Sequence, residues 1–242
     1  MKLPLVLLPG LLCDDAVWQP QTLALADIAD ITIADHGLLD SLGAMAEAVL
    51  ARAPARFAVA GHSMGGRVAF EVIRRAPDRV TALAILDSAF APLAQGAAGE
   101  REIAGRQRLV ALARNAGMRF MGEDWVQPMV HPSRRSDREL MNTILDMIER
   151  KTPAHFEAQV RALLNRPDAR PLLPRIACPA LVLCGREDSW SPLAQHVEMA
   201  ELIPASRLIA LAECGHMSTL EKPAEVSAAM REWLRPGLLA GN

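Results

Sequence analysis

A serine flanked by glycines is the strongest candidate for a chemically reactive residue in the chain, and it lies in the sequence Gly61-His62-Ser63-Met64-Gly65-Gly66. Small and apolar residues precede it, and residues 67–75 continue as an amphipathic helical pattern that ends before Pro77. A sharp strand-to-helix turn of this kind exposes the serine hydroxyl at the end of a sheet, and the glycines are required because a Cβ would clash there. The motif predicts that Ser63 is a nucleophile, which needs a base to take its proton.

The elements that would position this serine are short apolar runs, each followed by turn residues and then by a helical pattern. Continuous apolar strands are buried on both faces, which indicates a parallel sheet covered by helices on each side. The sequence therefore predicts an α/β fold with a doubly wound, mostly parallel sheet of about six core strands, and a ligand site at the carboxyl ends of those strands. The runs are Leu3–Leu8, Ile31–Ala34, Arg56–Ala60, Val80–Leu86, Ala180–Cys184 and Arg207–Leu211, and helices are predicted at Ser41–Ala51, Gly66–Arg75, Pro192–Leu202 and Pro223–Leu234.

Strand patterns are absent from residues 90–175, where helical patterns follow one another. Because a strand pattern resumes afterwards, this segment is predicted to leave the sheet at its carboxyl end and to cover the site as a helical lid. The predicted division is a core of residues 1–89 and 176–242 with a lid of residues 90–175 inserted in it. The lid helices are predicted at Glu100–Asn115, Arg119–Met129, Asp137–Lys151 and Ala154–Leu164.

Over residues 3–234 the chain resembles the α/β-hydrolase superfamily, specifically its small lidded esterases, lactonases and thioesterase-like members. The resemblance implies a serine nucleophile followed in the chain by an acid and then a histidine base. The acid matches Asp188 in Gly185-Arg186-Glu187-Asp188-Ser189-Trp190-Ser191-Pro192, and its rival Glu187 is expected to face solvent. The base matches His216 in Cys214-Gly215-His216-Met217-Ser218.

The resemblance also implies an oxyanion hole made by the backbone N–H groups of Leu11 and Met64. Many relatives have His-Gly where this chain has Pro9-Gly10, so the path of that loop stays open. His62 is expected to pack behind the serine. The aromatic and Met side chains of the lid are candidates for the pocket wall or, equally, for the core of the lid itself. The substrate pocket is predicted to include Leu12, Phe120, Trp125, Met129, Trp190 and Met217.

The net charge of −2 argues against binding to nucleic acid or to anionic membranes, because both need a basic surface. The four cysteines show neither zinc-ligand spacing nor a disulfide framework, so no metal and no cofactor are predicted. No apolar run is long enough to span a membrane, and a cytoplasmic location is predicted. The sequence does not indicate the oligomeric state.

The leading functional hypothesis is a serine hydrolase that cleaves a small carboxylic ester, lactone or thioester through an acyl-enzyme. The same three residues could serve C–C bond hydrolysis, a biosynthetic lyase step or perhydrolysis, because these reactions share the serine turn. A receptor built on the hydrolase fold is a third hypothesis, which a complete set of Ser, Asp and His disfavours. The expected partner is a small acyl substrate.

Overall fold

Six parallel strands form one sheet in a computed structural model that describes residues 2–235. The strand order across the sheet is β2-β1-β3-β4-β5-β6. The predicted doubly wound α/β fold is therefore confirmed. The strands are β1 (Leu3–Leu8), β2 (Ala29–Ile33), β3 (Phe57–His62), β4 (Val80–Leu86), β5 (Ala180–Gly185) and β6 (Ser206–Leu211).

Helices cover both faces of this sheet and fill the connection between β4 and β5. Several begin at a side-chain cap: the Ser41 hydroxyl accepts the Ala44 N–H at 3.1 Å, and the Asp137 carboxylate accepts the Leu140 N–H at 3.1 Å. The helices are α1 (Gln19–Leu25), α2 (Leu42–Arg52), α3 (Met64–Arg75), α4 (Ala97–Ala116), α5 (Met118–Trp125), α6 (Arg138–Glu149), α7 (Pro153–Leu164), α8 (Leu193–Leu202), α9 (Ser218–Glu221) and α10 (Pro223–Trp233).

The central strands are buried on both faces, which explains why their sequences are apolar without alternation. All residues of β3 and of β5 are buried, whereas the edge strands β2 and β6 are partly exposed. A strand with helices above and below it has no face for polar residues. Burial of these strands holds the residues that follow them in fixed positions at one edge of the sheet.

The chain reverses its direction of winding between β1 and β3, and this places a crevice at their carboxyl ends. From β1 the chain goes to β2 on one side and then to β3 on the other side of β1. Ligands of open parallel sheets bind in the crevice at such a switch point. Gly10 lies just past β1 and Ser63 just past β3, so both sit at this crevice.

Helices α4 to α7 follow β4 and pack mainly on one another, α5 against α4 and α6, and α7 against α4. Polar contacts join them to the rest of the chain, and two of these contacts involve Arg150 and Arg134. Arg150 pairs with Asp14 at 2.7 Å, and Arg134 donates to the backbone carbonyl of Glu221 at 2.7 Å. The division into a core and a lid of residues 90–175 stays a prediction, and Met1 and residues 236–242 of the predicted core lie outside the described residues.

The structure differs from the helix predictions at α5 and α1, among other places. Helix α5 ends at Trp125 instead of Met129, because Pro128 lacks an N–H and disfavours helical backbone at the residue before it. Helix α1 was not predicted, although Pro20 stands in its first turn, where proline is accepted. Within residues 2–235 no helix is both long and apolar enough to cross a membrane.

Candidate active site

Ser63 occupies the turn between β3 and α3 with strained backbone angles, φ 53° and ψ −116°. Its N–H donates to the carbonyl of Leu86 on the neighbouring strand at 2.8 Å, which holds the turn against the sheet. A Cβ on Gly61 would lie 2.3 Å from the carbonyl oxygen of Gly65, and one on Gly65 would lie 2.0 Å from that of Leu8. The glycines of the motif are therefore required by close backbone approach, as the sequence predicted.

The structure brings Ser63, His216 and Asp188 into one line of hydrogen bonds. The Nε2 atom of His216 lies 2.8 Å from the Ser63 hydroxyl, and its Nδ1 atom lies 2.8 Å from Asp188 Oδ2. Each residue follows the end of a different strand, β3, β5 or β6. This geometry suits transfer of the serine proton to the imidazole, with the carboxylate orienting the ring.

Asp188 is fixed by its own backbone neighbours, whereas Glu187 points elsewhere. The second carboxylate oxygen of Asp188 accepts the N–H groups of Trp190 at 2.8 Å and Ser191 at 2.9 Å. Glu187 is exposed and accepts the backbone N–H of Cys214 at 3.1 Å. The carboxylate that reaches the imidazole is that of Asp188.

Asp188 and His216 each shift the pKa of the other toward the charged form. Burial acts to lower the pKa of His216, but the negative charge of Asp188 and the hydrogen bond to it outweigh burial and raise that pKa above 6.5. Burial acts to raise the pKa of Asp188, but His216 and the backbone N–H donors outweigh it and lower that pKa. Asp188 is thus ionised at neutral pH, as an orienting carboxylate must be.

The loop that carries His216 is held by a buried carboxylate that sequence reasoning missed. Glu221 accepts the N–H groups of Gly215 and Met217 at 3.1 Å each with one oxygen, and the N–H of His131 at 2.8 Å with the other. It therefore ties both neighbours of His216 to the segment between α5 and α6. Nothing in the local sequence around Glu221 indicates such distant contacts.

A second missed carboxylate, Asp87, lies fully buried at the end of β4. It accepts the N–H of Gly185 at 3.1 Å and the N–H and hydroxyl of Ser218 at 3.2 and 2.5 Å. Burial and the nearby charge of Asp188 raise its pKa well above the ordinary range. Asp87 thus joins β5 to the segment that follows His216.

His62 lies behind Ser63, as expected from the sequence. Its ring is fully buried, and Nε2 lies 2.9 Å from the backbone carbonyl of His216 and 3.6 Å from Asp87. Burial and the neighbouring His216 lower its pKa to about 4, so the ring is neutral at pH 7. A neutral ring that donates to a carbonyl positions the His216 backbone and does not act as a second base.

The loop after β1, residues 9–13, approaches Ser63 closely. A Cβ on Gly10 would lie 2.9 Å from the His62 ring and 3.2 Å from the Ser63 Cβ. Leu12 has a φ of 60°, and its N–H donates to the side-chain oxygen of the buried Gln159 on α7 at 2.9 Å. Leu11 lies beside Ser63 in the site, and Met64 begins α3. The contact from Gln159 was not predicted.

A small cavity of about 20 Å³, here called the apolar cavity, lies against Ser63 and His216. The ring of Trp190 packs between two others at tilted angles, with its centroid 5.2 Å from that of Trp125 and 5.4 Å from that of His216. The predicted pocket residues Leu12, Trp125, Met129, Trp190 and Met217 all line it, together with Ile144, Met147 and Ile148 of α6.

Phe120 does not line this cavity, and its prediction as a pocket residue was wrong. Its side chain is 58% exposed on the outer face of α5, whereas Trp125 on the same helix is 8% exposed. Helical spacing placed both on one helix but did not determine which of them faces inward.

The described residues contain no group of three or more His, Cys, Asp or Glu side chains arranged to hold a metal ion. All four cysteines are free thiols. Burial raises the pKa of Cys13 and of Cys184 to about 12, so these thiols are protonated and poorly nucleophilic at neutral pH. The Ser63 hydroxyl, in contrast, lies within hydrogen-bond distance of an imidazole nitrogen.

Comparison with known proteins agrees with this geometry. A model of the Alpha/beta hydrolase family matches residues 5–229. The pimeloyl-[acyl-carrier protein] methyl ester esterase of Nitrosomonas europaea is 28% identical over 231 residues, 90% of this chain and 90% of that protein. A 2-hydroxy-6-oxononadienedioate/2-hydroxy-6-oxononatrienedioate hydrolase of Burkholderia vietnamiensis is 28% identical over 82% of this chain and 66% of its own.

Among solved structures, a thermophilic esterase from Thermogutta terrifontis superposes with a TM-score of 0.85 at 28% identity, over 98% of this chain and 91% of that one. An enol-lactonase from Burkholderia xenovorans gives a TM-score of 0.82 at 24% identity, over 97% and 92% of the two chains. Since the family model spans most of its length, the chain belongs to the alpha/beta hydrolase family and is a hydrolase.

Proposed function

We propose that the protein is a serine hydrolase that cleaves small carboxylic esters through an acyl-enzyme. The observation that carries the proposal is the line of 2.8 Å contacts from the Ser63 hydroxyl through His216 to Asp188, which opens onto the apolar cavity. The relatives named as esterases support an ester as the substrate.

The reaction would proceed in two steps. His216 Nε2 takes the proton of the Ser63 hydroxyl as its oxygen attacks the ester carbonyl, and then gives that proton to the departing alcohol. Water next attacks the acyl-enzyme, with His216 again as the base, and Ser63 leaves with the proton. The backbone N–H groups of Leu11 and Met64 are assigned to the oxyanion, because such donors act where negative charge develops.

Residues 90–175 are assigned as the lid over this site. Trp125, Met129 and Ile148, which line the apolar cavity, all come from this segment. Closing such a site excludes water from the reacting carbonyl until the alcohol has left. The lid would also set the size of the group that the cavity accepts.

The proposal is tested with p-nitrophenyl esters of graded chain length, from acetyl to octanoyl, and with a fluorophosphonate probe. We expect turnover that is highest for short acyl groups, and covalent labelling of Ser63. A protein that resists the probe would have no activated serine, which would favour a receptor. Labelling without ester turnover, but with cleavage of a 2-hydroxy-6-oxo dienoate, would favour the C–C hydrolase named among the relatives.

The pH dependence should have one acidic limb. The base must be neutral to take a proton, so kcat/KM should fall as the pH is lowered through the pKa of His216. Since Asp188 raises that pKa, the midpoint should lie above the ordinary 6.5 of a histidine. The measurement is kcat/KM for p-nitrophenyl acetate against pH. A midpoint below 6.5 would contradict the assigned charge on Asp188.

Trp125→Ala should shift the preferred ester toward longer acyl chains. The apolar cavity is small, and removing the indole enlarges it beside Trp190. We expect kcat/KM for short esters to fall by about 10- to 100-fold, corresponding to about 1–3 kcal/mol of lost apolar contact. Kinetics from acetyl to octanoyl esters measure the shift.

Phe120→Ala on the same helix is the matched control, because that side chain is 58% exposed. It should leave the chain-length profile unchanged. If Trp125→Ala lowered kcat/KM equally for all chain lengths and also lowered Tm strongly, Trp125 would contribute to packing and not to chain-length selection.

A further inference from the structure

A second, larger cleft meets the apolar cavity at the nucleophile. It has a volume of about 410 Å³ and shares Leu11, Ser63, Trp190 and His216 with the apolar cavity. Away from Ser63 its walls combine apolar residues with polar and charged ones, and the apolar cavity has no Arg or Glu in its lining. We call it the arginine cleft, after Arg67, Arg106 and Arg166, which line it together with Glu102.

The charges of the arginine cleft do not balance. Glu102 is already paired twice, by Arg106 at 2.9 Å and by Arg166 through two bonds of 2.7 Å. Arg67 has no carboxylate within 4.0 Å among residues 2–235, and its guanidinium donates to the backbone carbonyl of Ala91 at 2.8 Å. Three guanidinium groups therefore face one carboxylate, which leaves an excess of two positive charges in the cleft.

Arg67 stays charged in spite of this environment. Burial and the nearby Arg166 lower its pKa to about 9, which is still well above neutral pH. A guanidinium carries five N–H donors in a planar fork, and one bond to Ala91 uses few of them. Anchoring the loop at Ala91 does not require this residue, because Arg166 donates to the same carbonyl at 3.3 Å. The remaining donors suit a carboxylate, which a guanidinium binds in a bidentate manner.

Arg67 lies close enough to Ser63 for its positive charge to contact a substrate bound there. Arg67 follows Ser63 by four residues, so it lies about one helical turn along α3 from the nucleophile. We propose that the arginine cleft binds a carboxylate of the substrate, so that the substrate is an ester with a free carboxylate roughly three to five methylene groups from the ester carbonyl. This inference rests on the proposed function, because it places the ester at Ser63. An acyl chain that ends in a carboxylate then extends from Ser63 into the arginine cleft, whereas an uncharged acyl chain, as in the p-nitrophenyl esters above, enters the apolar cavity.

The test compares two methyl esters of the same length, monomethyl adipate, which carries a carboxylate, and methyl hexanoate, which does not. We expect the wild type to prefer the charged ester in kcat/KM by about tenfold or more, and Arg67→Gln to lower that preference by about the same factor. Arg101→Gln, an exposed arginine at the start of α4, is the matched control and should keep the wild-type preference. An unchanged preference in Arg67→Gln would overturn the inference while leaving the proposed function intact.

Binding is measured separately, so that the inference does not depend on turnover. Calorimetry with Ser63→Ala protein should show binding of monomethyl adipate that weakens about tenfold when Arg67→Gln is added. Equal affinities in the two backgrounds would overturn the inference. If Arg67→Gln weakened binding but the wild-type protein hydrolysed neither ester, the carboxylate site would be supported and the proposed function refuted. Inorganic phosphate that displaces the ester better than adipate does would assign the cleft to phosphate and overturn the carboxylate.

A second variant, Arg67→Lys, keeps the test decisive if Arg67→Gln proves unstable. Lysine keeps the charge but cannot form the bidentate pair. We expect Arg67→Lys to retain the wild-type Tm and to show a charged-ester preference between those of wild type and Arg67→Gln. A wild-type preference in Arg67→Lys, combined with an unfolded Arg67→Gln, would mean that the Arg67 guanidinium forms no bidentate pair with the substrate carboxylate, and would overturn the inference.

Discussion

Ser63→Ala and His216→Ala should each abolish ester turnover to a similar extent, on the order of 10⁵- to 10⁶-fold in kcat, and the double variant should be hardly slower than either. The reason is the 2.8 Å contact between the hydroxyl and Nε2. A hydroxyl without a base is a poor nucleophile, and a base without the hydroxyl has no proton to take. Residues that act as a unit lose their effects together.

The measurement is single-turnover kinetics with p-nitrophenyl acetate for the two single variants and the double variant. Fluorophosphonate labelling of His216→Ala should be correspondingly slow, although Ser63 is intact. Folding should survive in Ser63→Ala, because the serine side chain is small and only partly buried, and Tm checks this. Losses that multiply in the double variant would mean that the two residues act independently, which the proposed mechanism does not allow.

The sheet could be predicted well from the sequence because its central strands are buried on both faces. The bounds predicted for β1 and β4 are those observed, since each is a continuous apolar run between turn residues. The edge strand β2 was displaced by two residues at its start, since Asp30 interrupts the apolar pattern and is exposed. Local composition thus determines a buried strand better than an exposed one.

The positions of the site residues were predictable for a related reason. Ser63, Asp188 and His216 each lie in the segment that follows a strand, and parallel strands end at one edge of the sheet. The residues that hold them are different. Leu12 and Gln159 are separated by 147 positions, and Asp87 and Ser218 by 131. Such pairs depend on how distant segments pack, which local sequence does not determine.

The arginine cleft also could not be predicted from local sequence. Arg67 lies in the first turns of α3, and on an isolated helix its side chain would face solvent. Its burial and its missing counter-charge arise from the segment after β4 and from α4, which fold over it. A charge that is ordinary on an isolated helix becomes a candidate ligand only after the tertiary structure covers it.

Asp188→Asn should lower kcat by about 10³- to 10⁴-fold, whereas Glu187→Gln should change it little. The carboxylate of Asp188 accepts from His216 Nδ1 at 2.8 Å, and its other oxygen is fixed by two backbone N–H groups. An asparagine that keeps these N–H bonds presents its NH₂ group to the ring, which favours the tautomer that cannot accept the serine proton. It also removes the charge that raises the pKa of His216, so the acidic limb of the pH profile should move to lower pH.

Glu187 is the matched control, because it is the carboxylate next in sequence, and within residues 2–235 its side chain accepts a hydrogen bond only from the Cys214 N–H. Glutamine can accept the same hydrogen bond. Kinetics with p-nitrophenyl acetate across pH, together with Tm, separate the two variants. A damaging Glu187→Gln beside an active Asp188→Asn would reassign the acid. A large loss in Asp188→Asn without any shift of the acidic limb would mean that Asp188 orients the ring without raising the pKa of His216.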